Sequence, residues 1–289
     1  MPLQQLVEHF NDRLEWEHHT NFRPFFLKEG VVHGLFGPIH ITTELAPLRE
    51  TRKPSTIAGY IAKLNVSTSE IPHLQSHELD LIISLPARQS ICPDSIVDFD
   101  RLARTVHMLN FLPISHEPFF LQLEVDPRHI LGVKKDHGAY FQEVIGKCGL
   151  EPNNIVITLS VSSVYANYYE ALLKGLENYR QRGYRVALKF DYNGLSGSAL
   201  ELITALSPDN VGLSAKDLGR IQDNQLLNKL HRLHKTTISV GGQTALLDIE
   251  DANVKALAHR IGFNWVQGAY YEQSPSLNED TFSRLSGVA

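Results

Sequence analysis

Leu3, Leu6, Val7, Phe10 and Leu14 recur at the spacing of one helix face, which predicts an amphipathic helix over residues 3–17. Phe22 to Leu27 is a short apolar run, Lys28-Glu29-Gly30 a tight turn, and Val31 to Phe36 a second run. Two such runs joined by three residues ending in glycine predict an antiparallel hairpin. Ile39 to Leu45 reads as a continuation of its second strand. Residues 46–95 are broken by Pro47, Pro54, Pro72, Pro86 and Pro93. Within them Ile57 to Leu64 reads as a short helix, and Leu79 to Leu85 fits a strand or a buried helical turn. The stretch reads as an elaboration on the domain.

From Asp98 onward the pattern is regular. Helices are expected at 98–112, 137–148, 165–182, 198–206, 224–234 and 248–261. Strands are expected at Pro118–Val125, Asn154–Leu159, Val186–Phe190, Asn210–Leu213, Thr237–Val240 and Asn264–Val266. Alternation of this kind implies parallel pairing with right-handed crossovers. Six such strands and the hairpin make eight. The expected class is α/β, a (β/α)8 TIM-like barrel with an antiparallel first strand pair. One domain should cover residues 1–289, since such barrels run to about 250 residues.

A formal net charge of -5 argues against broad nucleic-acid binding. Cys92 and Cys148 lie far apart without CxxC spacing, so a disulfide framework is not expected and a reducing compartment fits. Both read as small buried hydrophobes. The first 19 residues carry Glu8, Asp12, Arg13, Glu15 and Glu17, so they lack a signal-peptide core. No run approaches the roughly 20 apolar residues of a membrane span. The expected location is the cytoplasm.

In a helix–strand–helix series the loop after the strand is where a site is usually built. Lys189, Asp191, Tyr192 and Asn193 occupy that position after Val186–Phe190. Glu124 and Asp126 are two apart on a strand and face the same way. With Asp191 they could in principle make a metal site. The simpler reading pairs Glu124 with Lys189 and lets Asp126 cap the turn before Pro127. Gly241-Gly242-Gln243-Thr244 is expected after the seventh barrel strand, where backbone N–H groups could receive a phosphate. The alternative is a plain glycine turn. Gln267-Gly268 reads equally as a pocket edge or a turn. The 14 histidines are scattered, without HExxH, and read as solvated. Tyr165, Tyr168, Tyr169 and Tyr179 could share one helix face.

Several segments resemble the EAL domain family, the cyclic-di-GMP phosphodiesterase barrel. Phe22-Arg-Pro-Phe25 with Gly30-Val-Val-His-Gly34 resembles its opening strand pair, and Leu121 to Pro127 its third-strand motif. Gly183-Tyr-Arg-Val-Ala-Leu188 resembles the approach to its paired aspartates, and Gly262-Phe-Asn-Trp-Val-Gln-Gly268 its closing Gln-Gly segment. The motif residues themselves differ. The name-giving Glu-Ala-Leu falls on Phe36-Gly37-Pro38, the third-strand Asn on Glu124, and the fourth-strand carboxylate on Thr158 or nearby. The paired Asp residues fall on Lys189 and Phe190, the following Lys on Gly212 or Leu213, and the late Glu residues on Val240 and Gln243.

Two-ion phosphodiester hydrolysis needs several hard oxygen ligands. Phenylalanine, valine and threonine do not supply them, and Lys189 competes with a cation. The resemblance therefore implies a degenerate EAL-like domain with no catalytic residues, no metal and no cofactor. It would act through a protein partner, and a homodimer is compatible with that role. A non-hydrolysing cyclic-di-GMP receptor remains open. There the ligand-facing candidates are Glu124, Asp126, Lys189, Asp191, Gly241, Gly242, Gln243, Gln267 and Gly268. A divergent phosphodiesterase using displaced acids is the third reading.

Overall fold

The computed structural model describes residues 2–18, 22–69, 71–73, 75, 79, 94–133, 138–195, 197–216, 218–220 and 225–272. Of the run from Leu79 to Leu85, residues 80–85 lie outside them, as does Cys92. In chain order the elements are α1 (Leu3–His18), β1 (Phe25–Lys28), β2 (Val31–Phe36), β3 (Ile39–Glu50) and β4 (Ile57–Ser67). There follow α2 (Asp94–Phe111), β5 (Phe120–Val125), α3 (Pro127–Gly132), α4 (Ala139–Cys148), β6 (Ile155–Ser160) and α5 (Tyr169–Gln181). The chain continues with β7 (Arg185–Phe190), α6 (Gly197–Leu206), β8 (Asn210–Ser214), α7 (Leu226–Ser239), β9 (Gln243–Leu247), α8 (Ala252–Ile261), β10 (Trp265–Val266) and α9 (Ala269–Glu272). Two compact units emerge.

The first unit comprises residues 46–61, 118–127 and 153–289. Its strands run in the order β3-β10-β9-β8-β7-β6-β5-β4, and a β3–β4 pairing closes the ring. Each neighbouring pair from β4 to β10 is parallel. β3 is antiparallel to β10 and therefore also to β4. The architecture is the expected α/β barrel with one reversed strand. The reversed strand, however, is β3, and the opening barrel pair is β3–β4 rather than β1–β2.

That difference corrects the reading of Ile57 to Leu64, which is strand and not helix. Apolar residues at 57, 58, 60, 61, 62 and 64 fit a helical stripe and a strand buried on both faces equally well. Hydrogen bonding decides. The loop Thr51-Arg-Lys-Pro-Ser-Thr56 turns the chain back, with Glu50 N–H donating to the Thr56 carbonyl at 3.0 Å. β4 then pairs with β5 through Gly59↔Phe120 and Ile61↔Gln122. A Cβ on Gly59 would lie 2.5 Å from the Phe120 carbonyl oxygen, so only glycine allows this approach. Leu48, Phe120, Val156, Ala187, Ala245, Leu247 and Trp265 form a buried cluster in this unit.

Thr237 to Val240 ends α7 instead of forming a strand. Thr237 tolerates the helix by donating its hydroxyl to the Leu233 carbonyl at 2.9 Å. Gly241, at φ 85°, then terminates it. The strand lies later, at β9. Residues 163–182 split into a short 3-10 turn, Ser163–Tyr168, and α5. The four tyrosines share no face: Tyr179 is buried against Tyr184, while Tyr168 is exposed.

The second unit comprises residues 1–45, 62–117 and 128–152. β1 and β2 form the expected antiparallel hairpin, turning at Glu29 (φ 52°) and Gly30 (φ 80°). The chain reverses again at Gly37-Pro38, so Ile39 to Leu45 does not continue β2 but pairs antiparallel with it. α2 packs on β2, where Gly34 leaves room for Leu102 and Val106. Several histidines are not solvated. His33 and His40 share a 2.9 Å contact beside Phe26. His129 is buried 3.1 Å from Asp100, which also receives a hydrogen bond from Arg104. The Arg104 guanidinium lies 4.1 Å from the centre of the Phe141 ring. His107 contacts the Thr43 hydroxyl at 2.8 Å.

Burial, aided by Arg104, lowers the His107 pKa to about 3. The unfolded chain takes up that proton near the ordinary histidine value of about 6.5. Between those values the unfolded state binds more protons, so stability is present above about pH 6.5 and falls as pH drops toward 3. The midpoint of urea unfolding should decline from pH 7 to pH 4, and His107→Gln should flatten that decline. Parallel pH profiles for the two proteins would contradict the assignment.

Candidate functional site

Side chains alternate along each barrel strand, so the members of the buried cluster mark the inward face. From Phe120, Gln122 and Glu124 follow on β5. From Val156, Thr158 and Ser160 follow on β6, and from Ala187, Lys189 follows on β7. Gly212 and Ser214 take the same positions on β8, through the pairing Lys189↔Gly212↔Ala245. The upper layer, at the C-terminal ends of the parallel strands, thus carries Glu124, Ser160, Lys189 and Ser214.

Lys189 Nζ lies 3.1 Å from Glu124 Oε2, the pair expected from the sequence. The Ser160 hydroxyl donates to the other oxygen, Oε1. The pair is only partly buried: 30% of the Lys189 side chain and 49% of the Glu124 side chain remain exposed. Solvent screening therefore holds its contribution to about 1 kcal/mol or less, below the cost of breaking a buried pair. Desolvation lowers the Lys189 pKa, but Glu124, through its charge and hydrogen bond, together with Asp248 and Asp191, outweighs it and raises the pKa above the ordinary lysine value.

Asp248 directly follows β9 with φ 58°. Its Oδ2 accepts from the Ser214 hydroxyl at 2.8 Å, and its backbone N–H donates to Gln267 Oε1 at 3.2 Å. Gln267 is 1% exposed, and among the described residues its Nε2 has no hydrogen-bond partner. Gly268, at φ 153°, passes so close to Ile249 that a Cβ would sit 2.2 Å from its nitrogen. The Gln267-Gly268 turn thus holds the end of β9 through Asp248 and Ile249. Asp191 is exposed and caps no backbone N–H with its side chain. Asp126 follows β5 and is half-buried. Among the described residues no three His, Cys, Asp or Glu side chains are grouped to hold a metal ion, so Glu124, Asp126 and Asp191 do not assemble the displaced centre.

Gly241, Gly242 and Gln243 belong elsewhere. Gly241 and Gly242 precede β9, and Gln243, its first residue, pairs with Asn210 at the start of β8. That is the opposite end of the barrel from Lys189, so they cannot join its site. Gly242 serves packing: a Cβ there would lie 2.4 Å from the Pro208 carbonyl oxygen. Phe36, on β2, stacks edge-on with Phe99 and is no barrel residue. The true second barrel strand, β4, carries no carboxylate. Three residues of the mouth escaped sequence reasoning: Ser160, Ser214 and Asp248. Placing the strand at the apolar run Ala245-Leu246-Leu247 after Gly241-Gly242 would have exposed Asp248.

No protein-family model matches the chain, and no curated protein matches it. Solved structures do. Klebsiella pneumoniae BlrP1, in a manganese and cyclic-di-GMP complex, is 17% identical with a TM-score of 0.64, over 82% of this chain and 56% of its own. The Xanthomonas citri FimX EAL domain, in complex with cyclic-di-GMP, is 13% identical with a TM-score of 0.65, over 93% and 92%. The Bacillus subtilis YkuI protein, with an EAL domain and in complex with cyclic-di-GMP and calcium, is 19% identical with a TM-score of 0.61, over 85% and 61%. The chain spans little more than half of BlrP1 and nearly all of the FimX domain. The fold is that of the EAL barrels.

Manganese and calcium in two of those structures raise the question of fit. A hard divalent ion takes roughly six to eight oxygen ligands, or six in strict octahedral geometry. Here Glu124 is engaged by Lys189 and Ser160, Asp248 by Ser214, and an ammonium sits among the acids. This donor set does not fit a divalent ion.

Lys189→Met, Glu124→Gln and the double variant, unfolded by urea at pH 7, should show a coupling energy of about 0.5–1 kcal/mol. The Lys189 pKa is raised in the fold, so the coupling is fully present below the ordinary lysine value of about 10.4 and should fade as pH rises through the higher folded value. Strictly additive single effects would show the pair to be energetically silent.

Proposed function

We propose that this chain is a single EAL-like domain that serves cyclic-di-GMP-related regulation without hydrolysing the dinucleotide, and that it acts through a protein partner. The observation that carries the reading is the Lys189 ammonium bonded to Glu124 within the barrel mouth. Activation of a water for phosphodiester cleavage depends on metal-bound oxygen ligands, and a cation fixed on the chain opposes a second cation there. The carboxylate-free β4 supports the same conclusion. Val164 and Tyr168, in the connection that follows β6, are 79% and 53% exposed. Large exposed side chains of this kind suit a protein contact.

A second reading has its own support. Among the described residues the buried Gln267 Nε2 lacks an acceptor, and the FimX and YkuI structures hold cyclic-di-GMP on this fold. A ligand oxygen would satisfy that amide, which makes the chain a non-hydrolysing receptor.

Chromatography after incubation with cyclic-di-GMP and magnesium or manganese should show no linear dinucleotide above a buffer control. Cleavage that disappears in Glu124→Gln would overturn the proposal in favour of an enzyme using displaced acids. Calorimetric titration of the same protein with cyclic-di-GMP separates the two non-hydrolytic readings, since heat of binding favours the receptor.

A further inference from the structure

Three connections meet at the end of the barrel opposite Lys189, where β4, β3, β10 and β9 follow one another around the ring. The loop of residues 51–56 leads into β4, α7 with Gly241-Gly242 into β9, and α8 with Gly262-Phe263-Asn264 into β10. They are held to one another. Thr51 N–H donates to the Asn264 carbonyl at 3.0 Å, Asn264 Oδ1 accepts from the Thr244 N–H at 2.8 Å, and the Thr244 hydroxyl contacts His234 Nδ1 at 2.8 Å. His234 lies against Gly262, where a Cβ would be 3.6 Å from its Nε2. Residues 51–56, 226–242 and 252–263 contain no Asp or Glu, although acids outnumber Lys and Arg in the chain by 32 to 27. They carry Arg52 and Lys53 in the loop, Arg232 and Lys235 in the last two turns of α7, and Arg260 in the last turn of α8, all exposed.

Basic side chains near the end of a helix ordinarily complement its dipole and bond its last carbonyls. Arg180 does so for α6, donating to the Leu206 and Ser207 carbonyls at 2.9 and 3.0 Å. Backbone groups close α7 and α8 instead. The N–H groups of Gly241 and Gly242 donate to the Ile238 and Thr237 carbonyls at 3.0 Å, and those of Gly262 and Phe263 to the Ala258 carbonyl at 3.1 Å. Among the described residues Arg52, Lys53, Arg232, Lys235 and Arg260 make no hydrogen bond through their side chains and no ion pair. Two acids border this surface. The Asp209 carboxylate accepts from the Val186 N–H at 2.8 Å and acts on Arg185, and Glu50, the last residue of β3, pairs with none of the five cations.

We propose that this basic face, formed by the 51–56 loop and the ends of α7 and α8, docks an acidic segment of a protein partner. The inference names the chemistry of the partner in the reading above and rests on that reading. Positive charges without counter-charges of their own attract carboxylates and set the direction of approach. Ile238, 45% exposed one turn beyond Lys235, adds apolar area to the same surface. Cations around an exposed apolar side chain match a peptide that carries both acids and apolar residues. A nucleic acid would meet the net charge of -5 on the rest of the chain, and these connections offer no exposed aromatic ring for a base to stack on. Barrels build their chemistry at the other end, which leaves this face to binding alone.

The test is fluorescence anisotropy of a fluorescein-labelled peptide of repeated Asp-Glu-Leu-Glu, titrated with the full chain at low salt. The peptide should bind, and more weakly as salt is raised. Lys235→Glu with Arg260→Glu, and separately Arg52→Glu with Lys53→Glu, should each raise Kd by at least about tenfold. Lys174→Glu with Lys216→Glu changes the net charge by the same amount at exposed sites elsewhere and should leave Kd within about twofold. Lys235→Gln with Arg260→Gln serves if the first reversal does not fold. Absence of peptide binding would overturn the inference, as would an equal loss in the Lys174 and Lys216 control. Tighter binding of a labelled oligothymidylate than of the peptide would overturn it in favour of a nucleic acid. Turnover of cyclic-di-GMP by the wild type would defeat the functional reading, whereas this surface stands or falls on the peptide titrations.

Discussion

β3 meets β10 on one side and β4 on the other, antiparallel to both, and with it the ring of eight strands has no open edge. Closure fixes the register of every strand between. The ladder Glu124↔Thr158, Thr158↔Ala187 and Lys189↔Gly212 sets which residues share the inward face. A slip of one residue in β7 would turn Lys189 outward and put Leu188 or Phe190 in its place. Glycine at two points permits the fit: Gly59 where β4 crosses Phe120, and Gly268 where the last turn crosses Ile249. The barrel mouth is therefore a consequence of strand pairing before it is a matter of charge.

Charge then acts on a prepared frame. Lys189 pairs with Glu124, the charges of Asp248 and Asp191 also favour its ammonium, and serines hydrogen-bond to Glu124 and Asp248. Because the pair is half in water, it orders the mouth more than it stabilises the fold. The same pairing in α2 has a different weight. Asp100 and Arg104 are almost wholly buried, with His129 and the Phe141 ring around them. Removing one member there strands a charge away from water, so that cluster specifies how the unit packs.

Much of the barrel was legible in the chain. Strands β5 to β8 and helices α2, α4 and α6 are continuous runs with a clear period, bounded by glycine, proline or polar turns, and their positions follow from local sequence alone. The β1–β2 hairpin follows from its turn in the same way. Lys189 and Glu124 were legible as partners because both sit at the ends of strands that alternation places nearby. The reversed pair β3–β4 was not legible. Its apolar residues satisfy helical and strand periods alike, and the hydrogen bonds that choose between them come from β10 and β5, more than fifty residues distant in the sequence. The β-branched end of α7 misled for the opposite reason: local strand preference yields when the Thr237 hydroxyl finds a carbonyl within its own helix. That displacement moved β9, and with it hid Asp248 and misassigned Gly241 to Gln243 to the mouth. Local sequence determined which segments were regular and which residues were charged. Only long-range pairing decided which of those charges meet, because a side chain's neighbours in a barrel are set by strand register and not by its place in the chain.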